Sequence, residues 1–366
     1  MGLFRLSGSD CTLMYQNMKS SMSGRLADLP EGREFVPQET MRAVVTDAYG
    51  MPNRLKVNQV PRPSLREHEI LVRVCAAAVC RGDTYLLAGK PYLLRLSGYG
   101  LFRPLRAIPG QSFSGVIVEL GSSVSAHRVG DSVYGEVSSG AFAEFVACDA
   151  SRLAPKPVNA SHAEAAALAL SGVAALQGLR DVGRLQPGES VLINGASGSV
   201  GTLAVQIAKA LGATVTAVCS TRHAERLRKM GADDIIDYTQ SDYTRCGMRH
   251  DVIFDLVANH TLRDNQRALK PKGRFVAAAI PQGRGWIGPV AWMLKLAIAD
   301  ALSRLNFRSM FAEPNRADLE HLARMVDGGL LRPLVERRYS MFNIAQAYAH
   351  VASGHAQGSS VMEVLP

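Results

Sequence analysis

The sequence predicts a two-part α/β fold, a doubly wound parallel sheet preceded by a compact domain of short β-strands. Three observations predict it. The apolar run Val191-Leu192-Ile193 ends in closely spaced glycines, Gly195, Gly198 and Gly201, and passes into an apolar pattern at helical spacing up to Leu211, which reads as strand, tight turn and helix. Four more β-rich runs follow, Ala213–Cys219, Asp234–Tyr238, Asp251–Val257 and Gly273–Ala279; strands separated by helical patterns make a parallel sheet with its ligand at the strands' carboxyl ends. From Met41 to about Pro157, by contrast, β-type runs are broken by Gly and Pro, as in a compact β domain.

The 366 residues are 47% hydrophobic and 20% charged, enough for two domains with proper cores. No uninterrupted apolar run reaches the length of a membrane span. The nearest, Trp286–Leu302, is broken by Pro289, Lys295 and Asp300, and reads as an amphipathic helix over the active site or at an interface, with a membrane-surface helix as the alternative. Cys11, Cys75, Cys80, Cys148, Cys219 and Cys246 form no C-x-x-C pair and follow no secretory signal, which suits reduced thiols in a cytoplasmic protein. The net charge of +9 is uneven, since Arg263–Arg308 holds nine basic and two acidic residues. That face reads as solvated surface beside an anionic cofactor, or else as a nucleic-acid surface.

Residues 1 to 40 mix Ser, Gly, Met and charge without a long apolar period, predicting a flexible tail. Its acids (Asp10, Asp28, Glu31, Glu34, Glu39) outnumber its bases (Arg5, Lys19, Arg25, Arg33), unlike a transit peptide. Leu6 occupies the serine position of a myristoylation signal. Strands are expected at Met41–Val45, Glu69–Val74, Gly115–Gly121 and Val129–Val133, then an alanine-rich helix at Ser161–Gly183.

The turn at 195–201 needs glycines because the backbone must reverse sharply and admit a pyrophosphate, while the first free N–H groups of the next helix point at the anion. The spacing is G-x-x-G-x-x-G, with Ser197 where the commoner fingerprint has its second glycine. Gly195, Ala196, Ser197, Gly198, Ser199, Val200 and Gly201 are therefore the candidate cofactor contacts, and Gly212 ends the helix. A structural Gly/Ser turn is the alternative for the motif taken alone. About twenty residues after the first glycine, NAD-specific folds carry an acid for the ribose hydroxyls. Here the strand ends in Ser220-Thr221-Arg222-His223; a hydroxyl pair followed by a cation suits a 2′-phosphate, which predicts NADPH. A capped helix start with Arg222 solvated is the plainer alternative.

Asn194 to Gly201, Gly231-Ala232-Asp233 and Ile236-Asp237-Tyr238 together resemble the medium-chain dehydrogenase/reductase superfamily. Within it they resemble the zinc-independent branch of NADPH:quinone oxidoreductases and enone reductases. The resemblance runs from about Met41 to the C-terminus. It implies a Rossmann domain at 166–309 and a discontinuous GroES-like β-barrel catalytic domain, with a tail at 1–40, a first catalytic part at 41–165 and a return at 310–366. The catalytic domain would include Gly140-Ala141-Phe142-Ala143-Glu144-Phe145 and close with Gly358–Val364. Nicotinamide and substrate would share the cleft between the lobes. Tyr238 corresponds to a family tyrosine near the 2′-phosphate, whereas Ala174 falls where many relatives have a threonine touching the nicotinamide ribose. Because Met41–Val45 looks like the family's first strand, translation starting at Met41 is a hypothesis; an intact native mass that includes residue 1 overturns it.

Zinc-dependent members use three protein ligands to polarise the alcohol oxygen. Cys80 stands at the first ligand position. The second falls in Pro109–Gly115, where Gln111 is a poor substitute, and Leu168–Ser171 offers no soft ligand near the third. The four-cysteine structural zinc loop is missing from residues 85–110. One ligand in three implies no bound metal, with Cys80 a packed thiol near the substrate. Without metal, hydride must go to an acceptor that is already electrophilic, a quinone or a conjugated ketone. Asp83-Thr84-Tyr85 resembles the Asp-x-Tyr segment lining the quinone reductase pocket, making Tyr85 the candidate catalytic donor to the acceptor oxygen and proton source, or else an aromatic that packs the pocket wall. The basic, aromatic segment Lys90–Ala107 is longer than the corresponding loop in short quinone reductases and is expected to reshape the substrate entrance.

These readings converge on a cytoplasmic, metal-free, NADPH-dependent oxidoreductase of quinones or activated alkenes, for which a homodimer is an open question. Two alternatives stand beside it. One is an NADPH-responsive RNA- or protein-binding protein with vestigial turnover; the other is a zinc alcohol dehydrogenase with atypical ligands.

Overall fold

Three sheets, a two-stranded ribbon, a mostly antiparallel seven-stranded sheet and a parallel six-stranded one, are found among the described residues, which in this computed structural model are 40–90, 92, 95, 99–279, 306–354 and 356–364. The expectations for residues 1–39, for the Trp286–Leu302 helix and for the 280–305 part of the basic face lie outside them.

The first part of the chain is antiparallel. β1 (Thr40–Val45) pairs with β2 (Lys56–Pro61), and β3 (Glu69–Val79) runs through a second, larger sheet into α1 (Arg81–Ala88). β4 (Ser112–Leu120), β5 (Ser132–Glu136), β6 (Phe145–Asp149) and β7 (Leu153–Pro155) follow. The strand expected at Val129–Val133 starts later because Gly130, at φ +94°, completes a turn closed from the Asp131 N–H to the Arg128 carbonyl. β3 holds this sheet together: β4 lies along one edge, while β6 occupies the first half of the other.

α2 (His162–Gln177) connects the two larger sheets. Ser161 caps it, its hydroxyl accepting from the Glu164 N–H at 3.2 Å while the Glu164 carboxylate accepts from the Ser161 N–H at 2.9 Å, an arrangement worth about 1 kcal/mol. Ala163, Ala165, Ala166, Ala167 and Ala169 are all buried, as befits a helix apolar on nearly every side. Small side chains let one face approach Ala76 and Ala78 of β3 while another packs into the parallel-sheet core. The helix ends sooner than its apolar pattern, passing into a π turn at Gly178–Val182 where a Cβ on Gly178 would lie 2.6 Å from the Phe254 ring.

The six-stranded sheet is parallel throughout. It comprises β8 (Ser190–Asn194), β9 (Thr214–Cys219), β10 (Asp234–Asp237), β11 (His250–Asp255), β12 (Leu269–Ala277) and β13 (Asn306–Ser309), in the spatial order β10-β9-β8-β11-β12-β13. Helices α3 (Ser199–Ala210), α4 (Ala224–Lys229) and α5 (Leu262–Arg267) lie between strands in the chain. The apolar runs Val191–Ile193 and Val252–Phe254 are fully buried, as strands covered on both faces must be. Strand order reverses between β8 and β11, which opens a crevice at their carboxyl ends.

After β13, α6 (Arg316–Asp327) packs Leu319, Leu322, Met325 and Val326 into the core beneath the parallel sheet. Only then does the chain re-enter the antiparallel sheet. β14 (Val335–Ser340) is followed by α7 (Ile344–Ala352) and β15 (Ser359–Glu363), and β15 pairs with the second half of β3. The catalytic-type sheet is thus built from both ends of the described chain, with a bridge from Gly358 to Gly198 linking it to the glycine-rich turn.

Candidate active site

The three glycines of the turn have three different reasons to be glycine. Gly195 sits at φ +88°, where an L side chain is strained. A Cβ on Gly201 would lie 2.3 Å from the Gly195 carbonyl oxygen, so α3 and the turn can meet only there. A Cβ on Gly198 would meet nothing nearer than that same oxygen at 3.6 Å, an ordinary contact, so the fold itself does not demand a glycine there. Counted by these roles, the fingerprint runs Ala196-x-Gly198-x-x-Gly201. The second-glycine position therefore belongs to Gly198 and not, as the spacing alone suggests, to Ser197. Gly198 is also the N-cap of α3 and makes no side-chain cap, and no acid stands in the first turn, whereas Ser161, Thr261 and Asn315 cap α2, α5 and α6. The leading N–H groups of α3, from Ser199 and Val200, face the open side of a helix N-terminus that favours an anion.

Beside this turn a polar network closes the strand ends. Asn194 donates its amide to Asp255 at 2.9 Å and to Asn259 at 2.8 Å, while Asp255 also accepts the Val257 and Ala258 N–H groups at 3.0 Å. Ala258 is held at φ +59°, a strained conformation that such a network over-determines. Burial raises the Asp255 carboxyl despite these hydrogen bonds. Sequence reasoning passed over this network, although a polar residue ending each of two apolar runs was its visible sign.

The candidate 2′-phosphate contacts also gather at strand ends. Ser220 follows β9 directly, Thr221 and Arg222 form a short turn after it, and Tyr238 follows β10 with its N–H bonded to the Cys219 carbonyl at 3.0 Å. Register pairs Cys219 with Asp237, so the ends of both strands lie side by side. Tyr238 is 55% exposed and Arg222 is exposed, with the Arg222 guanidinium donating to the His223 ring at 3.0 Å. Thr221 is already engaged, its hydroxyl donating to Asp237, which Thr239 also binds. These hydroxyls hold the Asp237 carboxyl below its ordinary value.

Tyr85 lies on α1, on the antiparallel side, and no contact joins it to the glycine turn among the described residues. Its hydroxyl accepts from the Arg81 guanidinium at 3.5 Å, and that guanidinium also donates to the Val351 carbonyl at the end of α7 at 3.3 Å. Behind Tyr85 stands a buried cluster that sequence reasoning did not foresee. Asp83 accepts from the Cys80 N–H at 2.8 Å through one oxygen, while its other oxygen, one carboxylate oxygen of Glu136 and the Tyr348 hydroxyl have no hydrogen-bond partner among the described residues. Burial pushes the carboxyls of Asp83 and Glu136 up to about 7. It also pushes up the Cys80 thiol, with the Asp83 and Glu136 charges adding to it and a Ser171 hydrogen bond opposing.

Residues at the zinc positions do not make a zinc set. Burial raises the Cys80 thiol, which donates to the Ala78 carbonyl at 4.0 Å, and the Gln111 amide oxygen lies 3.3 Å from where a Cβ of Gly82 would be. Zinc asks for thiolate, imidazole or carboxylate in tetrahedral array, and no such group of three or more is assembled among the described residues. A cavity of about 40 Å³ beside Asp83 and Gln111 is lined also by Thr46, Tyr49, Tyr99 and Ser139. Ala174, on α2, is half-buried against the nucleotide-side core.

Comparison with known proteins agrees with this architecture. The alcohol dehydrogenase GroES-like domain family matches residues 66–158 and the zinc-binding dehydrogenase family residues 230–362. The mouse mitochondrial NAD(P)H oxidoreductase RTN4IP1 is 32% identical over 89% of each chain. This chain belongs to the medium-chain dehydrogenase/reductase superfamily. Within that superfamily it falls in the quinone oxidoreductase-like branch. The tomato 2-methylene-furan-3-one reductase is 30% identical, covering 90% of this chain and 81% of its own. The quinone oxidoreductase structure from Coxiella burnetii superposes with a TM-score of 0.79 at 27% identity, over 89% of this chain and all of that one. Like these medium-chain oxidoreductases, the chain pairs a GroES-like domain with a Rossmann sheet and is an oxidoreductase using a nicotinamide cofactor. No helix among the described residues is long and apolar enough to cross a membrane.

Proposed function

We propose that the protein is a zinc-independent, NADPH-dependent reductase of quinones or activated alkenes. One observation carries the reading: room for a close approach over Gly198 at an uncapped helix N-terminus, with Ser220 and Arg222 at the next strand end and no acid on that strand. An anionic cofactor that carries a further phosphate fits this donor set. When bound, the reduced nicotinamide supplies the hydride.

The protein's own residues then orient and protonate. Gly195 to Gly201 hold the pyrophosphate, and Arg222 with Tyr238 flanks the 2′-phosphate. Arg81 aims an N–H at the Tyr85 oxygen, leaving the phenol hydrogen free to point at the acceptor oxygen, where negative charge grows as hydride arrives. Gln111 and the Leu168–Ser171 stretch at the other two zinc positions offer no soft ligand and favour chemistry without a Lewis acid, and so an acceptor that is already electrophilic. Relatives named as an NADPH-dependent alkenal/one oxidoreductase and as quinone oxidoreductase support that substrate class. The free thiols at Cys75, Cys80, Cys148, Cys219 and Cys246 suit the reducing cytoplasm.

Stopped-flow oxidation of NADPH with a panel of quinones and conjugated ketones tests the proposal, using dialysed enzyme of measured metal content. Turnover by metal-free enzyme is expected. A strict requirement for stoichiometric zinc overturns the reading.

A further inference from the structure

The loop 99–107 turns its apolar side chains outward. Phe102 is 88% exposed and Leu105 71% exposed, with Leu101 exposed beside them, whereas a loose loop would fold such groups against the protein. This loop is tied down. Tyr49 donates its hydroxyl hydrogen to the carbonyls of Tyr99 and Gly100, at 2.8 and 2.7 Å, and the Leu105 N–H donates to the Tyr99 carbonyl at 2.9 Å. The Ala107 carbonyl accepts from Thr46 at 2.9 Å. Gly100 turns the chain at φ +103°, where a Cβ would lie 2.1 Å from the Arg103 carbonyl oxygen. The backbone itself therefore imposes the exposure.

Charge within this stretch of the chain has one sign, although Asp47, next to Thr46, and Asp83 of the cavity lie close by. Between Asp83 and Glu119 the sequence holds Lys90, Arg95, Arg103 and Arg106 and no acidic residue. Arg103 and Arg106 are exposed in the same loop, and the Arg106 guanidinium lies 5.5 Å from the centre of the Tyr99 ring. Exposed Phe and Leu tips flanked by arginines and tyrosines are the pattern of a segment lying in a bilayer interface. The tips enter the acyl boundary, the guanidinium groups meet headgroup phosphates and the rings sit at headgroup depth. A second copy of the chain fits less well, because a two-fold contact through this loop would set arginines against arginines.

We infer that the 99–107 loop docks the protein on an anionic lipid surface, with Phe102 and Leu105 as the inserting tips. Tyr99 and Arg106 of the loop also line the cavity beside Asp83 and Gln111, so docking turns that cavity toward the lipid. The inference stands apart from the hydride chemistry, since binding is read without turnover.

Co-sedimentation of the full chain with phosphatidylcholine vesicles, with and without phosphatidylglycerol, tests it. We expect binding to anionic vesicles about tenfold above neutral ones, released by high salt. Phe102→Asp with Leu105→Asp should abolish it at an unchanged thermal midpoint. Should that variant fail to fold, Phe102→Trp supplies the reading, since brominated lipid should quench the added tryptophan. Four results overturn the inference: no binding of the native chain to anionic vesicles, equal binding to neutral ones, binding that survives the double substitution, or an added tryptophan that brominated lipid leaves unquenched. A solution dimer that Phe102→Asp dissolves overturns it too, because the loop would then cover a second copy.

Discussion

The backbone N–H of Gly358 donates to the carbonyl oxygen of Ser197 at 3.0 Å, so the approach to β15 rests directly on the glycine-rich turn. Gly358 can make this contact because it stands at φ +86° with a Cβ position 2.6 Å from the Leu334 carbonyl oxygen. Gly358→Ala should therefore cost about 1–3 kcal/mol of stability and weaken NADPH as well, read by denaturant unfolding and cofactor titration. Full stability with unchanged affinity would deny the coupling.

The turn glycines should separate by kind of damage. Gly201→Ala forces α3 away from the Gly195 carbonyl and should lower both stability and cofactor affinity. Gly198→Ala adds a methyl at ordinary contact distance from the Gly195 carbonyl oxygen and should spare the fold while reducing affinity, because the added methyl occupies room meant for the pyrophosphate. Calorimetric titration of each variant, with its thermal midpoint, makes the comparison.

Cofactor choice is tested at Arg222. Its guanidinium contacts only the His223 ring among the described side chains, and is available to a phosphate. Arg222→Ala should weaken NADPH by about tenfold or more, the worth of a charge-assisted hydrogen bond, and leave NADH nearly unchanged. Equal losses for both cofactors would remove the 2′-phosphate argument.

Stability should carry the signature of Asp83. Its carboxyl titrates near pH 4 in the unfolded chain and at about 7 when folded, so the native state binds more protons between those values. The sign is then fixed: this contribution is greatest in mild acid and is lost as pH rises toward and through 7. Asp83→Asn keeps an acceptor for the Cys80 N–H but carries no charge. Its stability relative to the native chain should improve from pH 5 to pH 8, by up to about 2.5 kcal/mol. A pH-independent difference in urea midpoints would refute the buried charge.

Tyr85→Phe tests the donor. Loss of the hydroxyl should lower turnover by about a hundredfold with cofactor affinity retained, and stopped-flow traces at saturating NADPH distinguish the two. Unaltered turnover would leave Tyr85 as pocket wall.

Much of this was legible in the chain itself. Val191–Ile193 and Val252–Phe254 announced buried parallel strands because both faces are covered, and Gly195 to Gly201 announced the turn because few other sequences can reverse so tightly. β13 escaped because Asn306–Ser309 offers one buried side chain, Phe307, at a sheet edge. The cluster of Cys80, Asp83, Glu136, Ser171 and Tyr348 escaped for a different reason. Its members come from four separate segments, and local periodicity carries no information about which polar groups tertiary packing will enclose. Ser197 was misassigned because counting residues cannot tell a glycine needed for room from one needed for approach.

β15 fills the place between β14 and β3, and the residue just before it braces the turn that opens the Rossmann sheet. During synthesis, then, the early strands wait with an open edge until residues 359–363 have left the ribosome. A chain that stops short of them has neither a closed seven-stranded sheet nor the Gly358 brace on the glycine-rich turn.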